Sequence, residues 1–300
     1  MAKDIIIGID AGTSILKVVA FTLNGKEIAS SSIKNIYKTS HGGQATQSLN
    51  TTWKNCIKII SELKNKINNF KDRVAIISVT GQGDGTWLID KKGKPVCDAW
   101  LWLDSRSSDI AKKLSKLNSE KLRFDLTGTG IFAGQQSSQI SYMDKNIPEI
   151  LDQSSTAFHC KDWIYFKLTN VRATDPSEAC FTFGNFRTRQ YDENVIDGLG
   201  LTKRKNLLPD IIDGSKVTHP LSDNVATLIG LNSGTPIALG YIDAVCTFLG
   251  SGGLDINKDV GNSILGTTGG HMKATEVSQI VPNSNLKSGY IMLLPIENLA

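Results

Sequence analysis

Asp4–Ile5–Ile6–Ile7–Gly8–Ile9–Asp10–Ala11–Gly12–Thr13–Ser14, followed by Leu16–Lys17–Val18–Val19–Ala20–Phe21, is an apolar run, a break of small and polar residues, and a second apolar run. It reads as a strand, a tight loop and a returning strand. Gly12 lets the backbone turn sharply and approach a ligand closely. Successive N–H groups in such a turn, with the Thr13 and Ser14 hydroxyls, form a concavity suited to phosphate oxygens. Asp10 suits a hydrated Mg²⁺, which binds through one or two carboxylates plus substrate phosphates. Taken alone, the stretch fits an ordinary hairpin with a small polar loop equally well. It is not a P-loop, and it lacks the dinucleotide-binding glycine spacing.

The chain has 300 residues, enough for roughly two domains. With 40% apolar and 21% charged residues it is a globular chain and not a disordered one. The formal net charge of +4 is spread over short clusters such as Lys91–Lys92 and Lys203–Arg204–Lys205. No aromatic residues interleave with them, so solvated surface is expected and a nucleic-acid face is not. Cys56, Cys97, Cys160, Cys180 and Cys246 are odd in number and show no C-x-x-C spacing. That argues against a disulfide framework or a zinc site and suits a reducing cytosol. No cleavable leader and no uncharged run of membrane-spanning length is read. The expectation is a cytoplasmic protein with no membrane partner.

Working outward from the first hairpin, Asn24–Gly25 is a hairpin-turn dipeptide between Val18–Leu23 and the extended run Glu27–Ile33. Trp53, Ile57, Ile60, Leu63 and Ile67 recur at helical spacing over residues 51–69, with Thr51 or Thr52 as the N-cap. Val74–Thr80 and Thr86–Ile89 read as strands, and Ile110, Leu114 and Leu117 as a further helical period. Three strands, a helix and more strands predict an α/β chain with a mixed sheet and helices on its faces. Thr235–Asp243 reads as a strand running into a loop, and Ser263–Gly270 as a strand running into a glycine-rich loop. The domain break is placed near Leu249–Gly253, dividing residues 1–248 from 249–300.

Asp243 stands where a strand ends, a place from which a carboxylate can take a proton from a substrate hydroxyl. It also suits plain helix capping. Gly266, Thr267 and Thr268 open a second small, hydroxyl-rich loop, which alone reads as a turn. In order, the three elements supply a phosphate cradle, a metal anchor and a group to orient or deprotonate an acceptor, which phosphoryl transfer requires.

At this point the chain resembles the FGGY carbohydrate kinases, relatives of glycerol kinase and xylulokinase within the actin-like ATPase (ribonuclease H-like) fold. Gly8–Ile9–Asp10–Ala11–Gly12–Thr13–Ser14 matches the family's first phosphate motif, and Gly266–Thr267–Thr268–Gly269 its second. Thr80–Gly81–Gln82–Gly83–Asp84–Gly85 takes the place of the sugar-contact loop. Trp100–Leu101–Trp102–Leu103–Asp104–Ser105–Arg106 matches the Trp-x-Asp-x-Arg segment. Leu168–Thr169–Asn170 with Ala173–Thr174–Asp175–Pro176–Ser177–Glu178–Ala179 resembles a further family stretch, and Gly240–Tyr241–Ile242–Asp243–Ala244 carries the catalytic Asp. Two departures stand out. Gln139–Ile140–Ser141–Tyr142 replaces a Lys-x-x-Trp signature, and family members continue well beyond this length. The resemblance therefore implies a sugar domain in 1–248 and an incomplete nucleotide domain in 249–300.

The resemblance implies ATP and Mg²⁺, with Asp243 as base and Asp10 holding the metal, through water. Gly12, Thr13, Ser14, Gly266, Thr267 and Thr268 hold phosphates, and Lys17 either adds a cation or covers the strand. Gln82, Gly83, Asp84, Trp102, Asp104 and Arg106 form the acceptor side. Asp84 can accept from two hydroxyls, and Trp102 can lay its face on a polyol's C–H side. Arg106 with Asp104 reads equally as a structural ion pair. Asp175 and Ser177 read as a capped turn supporting the cleft, and the four histidines receive no role. Gly81–Leu88, His159–Trp163 and Phe183–Asp192 are most similar to the erythritol-phosphorylating members, so a small polyol, erythritol first, is the implied acceptor. A ketopentose (xylulose-type) acceptor is the alternative within the family. Outside it stand a non-catalytic sugar sensor and an assembly-type ATPase. A homodimer is the assembly to test.

Overall fold

Alternation decides the first strand. In β1 (Ile5–Ala11) the side chains of Ile5, Ile7, Ile9 and Ala11 are buried, while Asp10 at its end is exposed. β2 (Ile15–Thr22) returns antiparallel, and β3 (Glu27–Lys34) pairs antiparallel with it. The turn between them uses Gly25 at φ +84°, a conformation that glycine adopts without steric cost. This is the Asn24–Gly25 hairpin expected from the sequence. In the computed structural model, residues 3–254, 260–265, 269–283 and 289–300 are described.

β4 (Val74–Gly81) pairs parallel with β1, matching Asp10 to Thr80 and Ala11 to Gly81. β5 (Thr218–Pro220) and β6 (Pro236–Leu239) complete the sheet, β6 running parallel to β4 and β5 antiparallel to β6. The strand order is β5-β6-β4-β1-β2-β3. The mixed sheet expected from the chain's element order is therefore present. Its consequence is local: β1, β4 and β6 end side by side, where open α/β sheets bind ligands.

Helix α1 (Leu49–Lys64) packs on β2 and β3, burying Cys56, Ile59, Ile60 and Leu63. Its N-cap is Ser48, whose hydroxyl accepts from Thr51 N–H at 3.3 Å. The expected caps Thr51 and Thr52 lie inside the helix, and Thr52 is buried against Asn35. The helix stops at Lys64, short of Ile67, which stays in the core through the turn that follows. Likewise, the helix expected around Ile110 spans Ser108–Leu114 and leaves Leu117 exposed beyond its end.

Helices α2 (Cys160–Thr169), α3 (Pro176–Thr182) and α4 (Asp243–Gly250) bear on the site. α2 packs against β4 and β6 beside α1. α3 begins with Pro176, whose missing N–H is one of the helix's free donors in any case, and is capped by Asp175. A second core around Leu88, Met143, Phe183, Val195 and Leu207 lies apart from the main one. Leu294 and Leu299 pack with Tyr241, Ile242, Val245 and Phe248 in a third. All five cysteines are unpaired. Among the described residues no helix is long and apolar enough to cross a membrane.

Candidate active site

The loops after β1, β4 and β6 build the site. After β1, Gly12 turns so tightly that a Cβ there would lie 2.8 Å from the Ile15 carbonyl oxygen. Asn35 Nδ2 donates to Gly12 O at 2.9 Å, and Asn35 N–H donates to Ser14 O at 2.8 Å. These bonds occupy the Gly12 and Ser14 carbonyls. Ser14 is exposed and its hydroxyl is free among the described residues. Thr13 differs from expectation. Its hydroxyl donates to Gln82 Oε1 and accepts from Trp102 Nε1, both at 2.9 Å. It ties the loop after β1 to the Gln82 and Trp102 segments, and the Thr13 carbonyl accepts from Gln47 Nε2 at 3.2 Å.

Asp10 is exposed and, among the described residues, makes no hydrogen bond or ion pair. Protein around it removes enough water to raise its pKa, while Lys17, its cross-strand neighbour, opposes that rise. A free carboxylate in that state is a sound anchor for a cation. Lys17 is exposed at the register position opposite Asp10. No cluster of three or more metal-ligating side chains occurs among the described residues. This donor set fits Mg²⁺ held by a carboxylate, water and phosphate oxygens, and does not fit an all-protein metal cage.

Asp243 is the first residue of α4. Ile242 is the N-cap, so capping is not the role of the Asp243 side chain, whose Oδ1 accepts from the adjacent Ala244 N–H at 2.7 Å. Burial pushes its pKa up to about 7, and the charge of Asp10 adds to the rise. Asp10 is thus near enough for its charge to act on Asp243. The strand before Asp243 sits close: a Cβ on Gly240 would lie 2.6 Å from Val79 O. Thr80 Oγ1 donates to Tyr241 O at 2.6 Å, locking this turn to β4.

The acceptor-side residues divide. Gln82 is buried, held between Thr13 and Gln47, whose Oε1 accepts from Gln82 Nε2 at 2.9 Å. It reads as scaffold. Asp104 is buried and accepts from Ala45 N–H at 2.9 Å. Arg106 clamps it, with Nη2 2.6 Å from Asp104 Oδ2, and stacks over Trp100 at 3.3 Å from the ring centroid. Of the two readings left open for this pair, the geometry favours the structural one. Trp102 is 39% exposed, its indole N–H fixed by Thr13. Gln139, in the degraded signature, is buried and donates to Leu101 O at 2.8 Å, fixing the same segment.

Asp84 is buried in the left-handed conformation, φ +53°, which Asp tolerates better than most side chains. Burial and the charge of Glu178 hold its carboxyl well above the usual range. Gly83 has no room for a side chain, since a Cβ there would meet Ile242 Cδ1 at 1.9 Å and Glu178 Oε1 at 3.1 Å. The acceptor loop thus touches the residue before Asp243. Gly266, Thr267 and Thr268 lie outside the described residues.

Sequence reasoning missed what lies beneath the acceptor loop. Lys161, fully buried, sits 2.7 Å from Asp162 and 2.6 Å from Asp175. Asp175 accepts from Ser177 N–H at 2.7 Å and from its hydroxyl at 2.5 Å. The Ser177 hydroxyl oxygen accepts from Ile242 N–H at 3.1 Å. The capped turn predicted at Asp175–Ser177 is thus present, and it reaches the residue beside Asp243. His159, assigned nothing, caps α2 in a box with Asp162 and lies 3.6 Å from Glu178. The signal available was His159 three residues before Asp162, a capping-box spacing with an unusual cap residue.

The N-terminal-domain model of the FGGY family of carbohydrate kinases matches residues 5–250. The chain belongs to that family. It is 51% identical over 296 residues to the erythritol kinase of Brucella abortus, covering 99% of this chain and 57% of that protein. It is 25% identical over 262 residues to the L-xylulose/3-keto-L-gulonate kinase of Escherichia coli, covering 87% of this chain and 52% of that one. The chain spans about half the length of the curated relatives it matches. Among solved structures, xylulose kinases of Rhodospirillum rubrum (TM-score 0.89, 20% identity, 98% of this chain and 59% of that one) and Lactobacillus acidophilus (TM-score 0.87, 23%, 100% and 59%) share its fold. The fold is the actin-like ATPase fold of the FGGY sugar kinases, and the sequence resemblance to that family is borne out.

Proposed function

We propose that these residues form the acceptor side and first phosphate loop of an ATP-dependent kinase that phosphorylates a hydroxyl of a small polyol, erythritol favoured. The observation that carries the reading is Asp243, the first residue of the helix after β6, a carboxyl that burial and the charge of nearby Asp10 push up to about 7. A base is most effective with a pKa near working pH. The polyol preference is supported by the 51% identity to an erythritol kinase, against 25% to a ketose kinase.

In this reading Asp243 accepts the proton of the attacking hydroxyl. The N–H groups of Gly12–Ser14 and the Ser14 hydroxyl hold phosphate oxygens and stabilise charge as it moves. Asp10 would hold Mg²⁺ through water, and the metal would neutralise charge on the phosphates. Trp102 lays an apolar face beside the acceptor, and Asp84 meets its hydroxyls. The rest of the phosphate site falls to residues 249–300, the division between the two parts being placed at 248/249. Cytoplasmic location and a homodimer are parts of the same proposal.

The test is ADP release by the full-length protein with Mg·ATP against erythritol, xylitol, glycerol, D- and L-xylulose and gluconate. Erythritol-dependent release, absent in Asp243→Asn, supports the reading. A ketopentose turned over far faster than any tetritol replaces the acceptor, and no release with any acceptor removes the kinase.

A further inference from the structure

Under the Gly83–Asp84 loop lies a buried charged cluster that the phosphoryl-transfer reading does not use. Glu178, on α3, accepts the Asp84 N–H at 3.3 Å through Oε2. The same oxygen lies 3.6 Å from His159 Nε2. On its other side His159 Nδ1 lies 3.0 Å from Asp162 Oδ2, and Asp162 reaches Lys161 and, through it, Asp175. Among the described residues Asp84 Oδ1, Glu178 Oε1 and His159 Nε2 are buried without a hydrogen-bond partner. Such atoms are rare in folded proteins and call for an explanation.

Charge accounting supplies one. Asp84, Asp162, Asp175 and Glu178 face Lys161 and His159, so full ionisation would leave four negative charges against two positive ones in a buried space. Buried charge without compensation is strongly unfavourable, and such groups keep protons instead. Lys161 is committed to Asp162 and Asp175, and His159 sits between Asp162 and Glu178. Asp84 has no cation of its own among the described residues. Burial and the like charges of Glu178 and Asp243 raise it, while the His159 charge and the Gln136 main-chain N–H oppose them, and the net direction is strongly upward. Two negative charges are in excess, and burial raises both Asp84 and Glu178; Glu178 has His159 beside it, so Asp84, which makes no ion pair among the described residues, keeps the first proton.

We propose that Glu178, braced by His159, is the positioning residue of the acceptor site, holding the Asp84 N–H and keeping the Asp84 carboxyl in its neutral, hydrogen-bond-donating form. A protonated carboxyl offers one donor and one acceptor, where a carboxylate only accepts. It therefore matches two neighbouring hydroxyls of an uncharged polyol, one donating and one accepting. Burial, Glu178 and Asp243 raise Asp84 against the His159 charge, and Glu178 and Asp162 hold His159 charged against its burial. The inference rests on the kinase reading for the identity of the acceptor.

The test uses the full-length enzyme, with erythritol affinity by calorimetry and steady-state kinetics from about pH 5 to about pH 10. Wild-type affinity should weaken as rising pH ionises Asp84. Glu178→Gln keeps an acceptor for the Asp84 N–H but removes the like charge, so the loss should begin about one pH unit lower, roughly tenfold weaker binding above it. His159→Gln removes the cation that screens Glu178 and should displace the loss the opposite way. In both variants kcat at saturating polyol should change far less than KM. Affinity that is flat with pH in the wild type overturns the proposal, as do displacements in the same direction for both variants. If these variants do not fold, the affinity profile of Asp243→Asn decides, because the base no longer titrates in that window. ADP release with a flat affinity profile defeats only this inference, whereas no ADP release with any acceptor defeats the kinase reading.

Discussion

Asp243 can act as a base only in its ionised form, and burial beside Asp10 delays that form to about pH 7. With the folded pKa raised, the active fraction grows as pH rises through 7. We therefore expect kcat to climb between about pH 6 and pH 8 and then level off. Asp243→Asn should lower kcat by about 10²–10⁴-fold and flatten that profile, with polyol affinity little changed. Near-normal turnover in the variant would exclude Asp243 as the base. Ser177 acts at one remove. Its buried hydroxyl is the acceptor for Ile242 N–H, so Ser177→Ala leaves that donor unpaired and should cost about 1–3 kcal/mol in chemical denaturation. A loss well below that range would mean that water or a shifted turn takes over the bond.

At the scale of elements, what the sequence discloses depends on how local the cause is. β1, the Asn24–Gly25 turn and β4 follow from alternation and turn chemistry, and each appears where expected. The start of α1 does not, because Ser48, Thr51 and Thr52 are all competent caps and only tertiary packing decides among them. Thr52 is drawn into the core by Asn35, which leaves Ser48 at the cap. Ser48→Ala should cost about 0.5–1 kcal/mol, at the low end for caps because its bond is long, and thermal denaturation would read it. The site divides the same way. Asp10, Gly12 and Asp243 are legible because each stands at a strand end inside a recognisable loop. The commitment of Thr13 to Trp102 and Gln82 is not legible, since those partners lie 89 and 69 residues away. The same holds for Glu178 under Asp84, a contact across 94 residues that no local pattern encodes.

For the molecule as a whole, the buried ionisable groups pull stability in two directions as pH changes. Asp84, Glu178 and Asp243 have folded pKa values raised above their unfolded ones, and so does His159. Their contribution is fully present below the unfolded pKa and is lost as pH rises through the folded one. Asp162 is the opposite case. Lys161 and His159 outweigh its burial and hold its carboxyl far below the usual range, so its contribution is lost only in strong acid. Taking Asp243 alone, moving from about pH 8 to about pH 5.5 should add about 2 kcal/mol, at 1.36 kcal/mol per unit below its pKa of about 7. The melting temperature without ligand should thus be higher near pH 5.5 than near pH 8, then fall below about pH 4 as Asp162 and the exposed Asp4–Arg73 pair are discharged. Asp243→Asn should remove part of the rise on mild acidification and none of the fall in strong acid, because asparagine does not titrate while the Lys161–Asp162 pair remains. Thermal denaturation of wild type and variant at these three pH values separates the two effects. A melting temperature that falls steadily from pH 8 downward would show that the carboxyls beneath the acceptor loop are ionised in the folded protein, and that the repulsion assigned to them is relieved by another route.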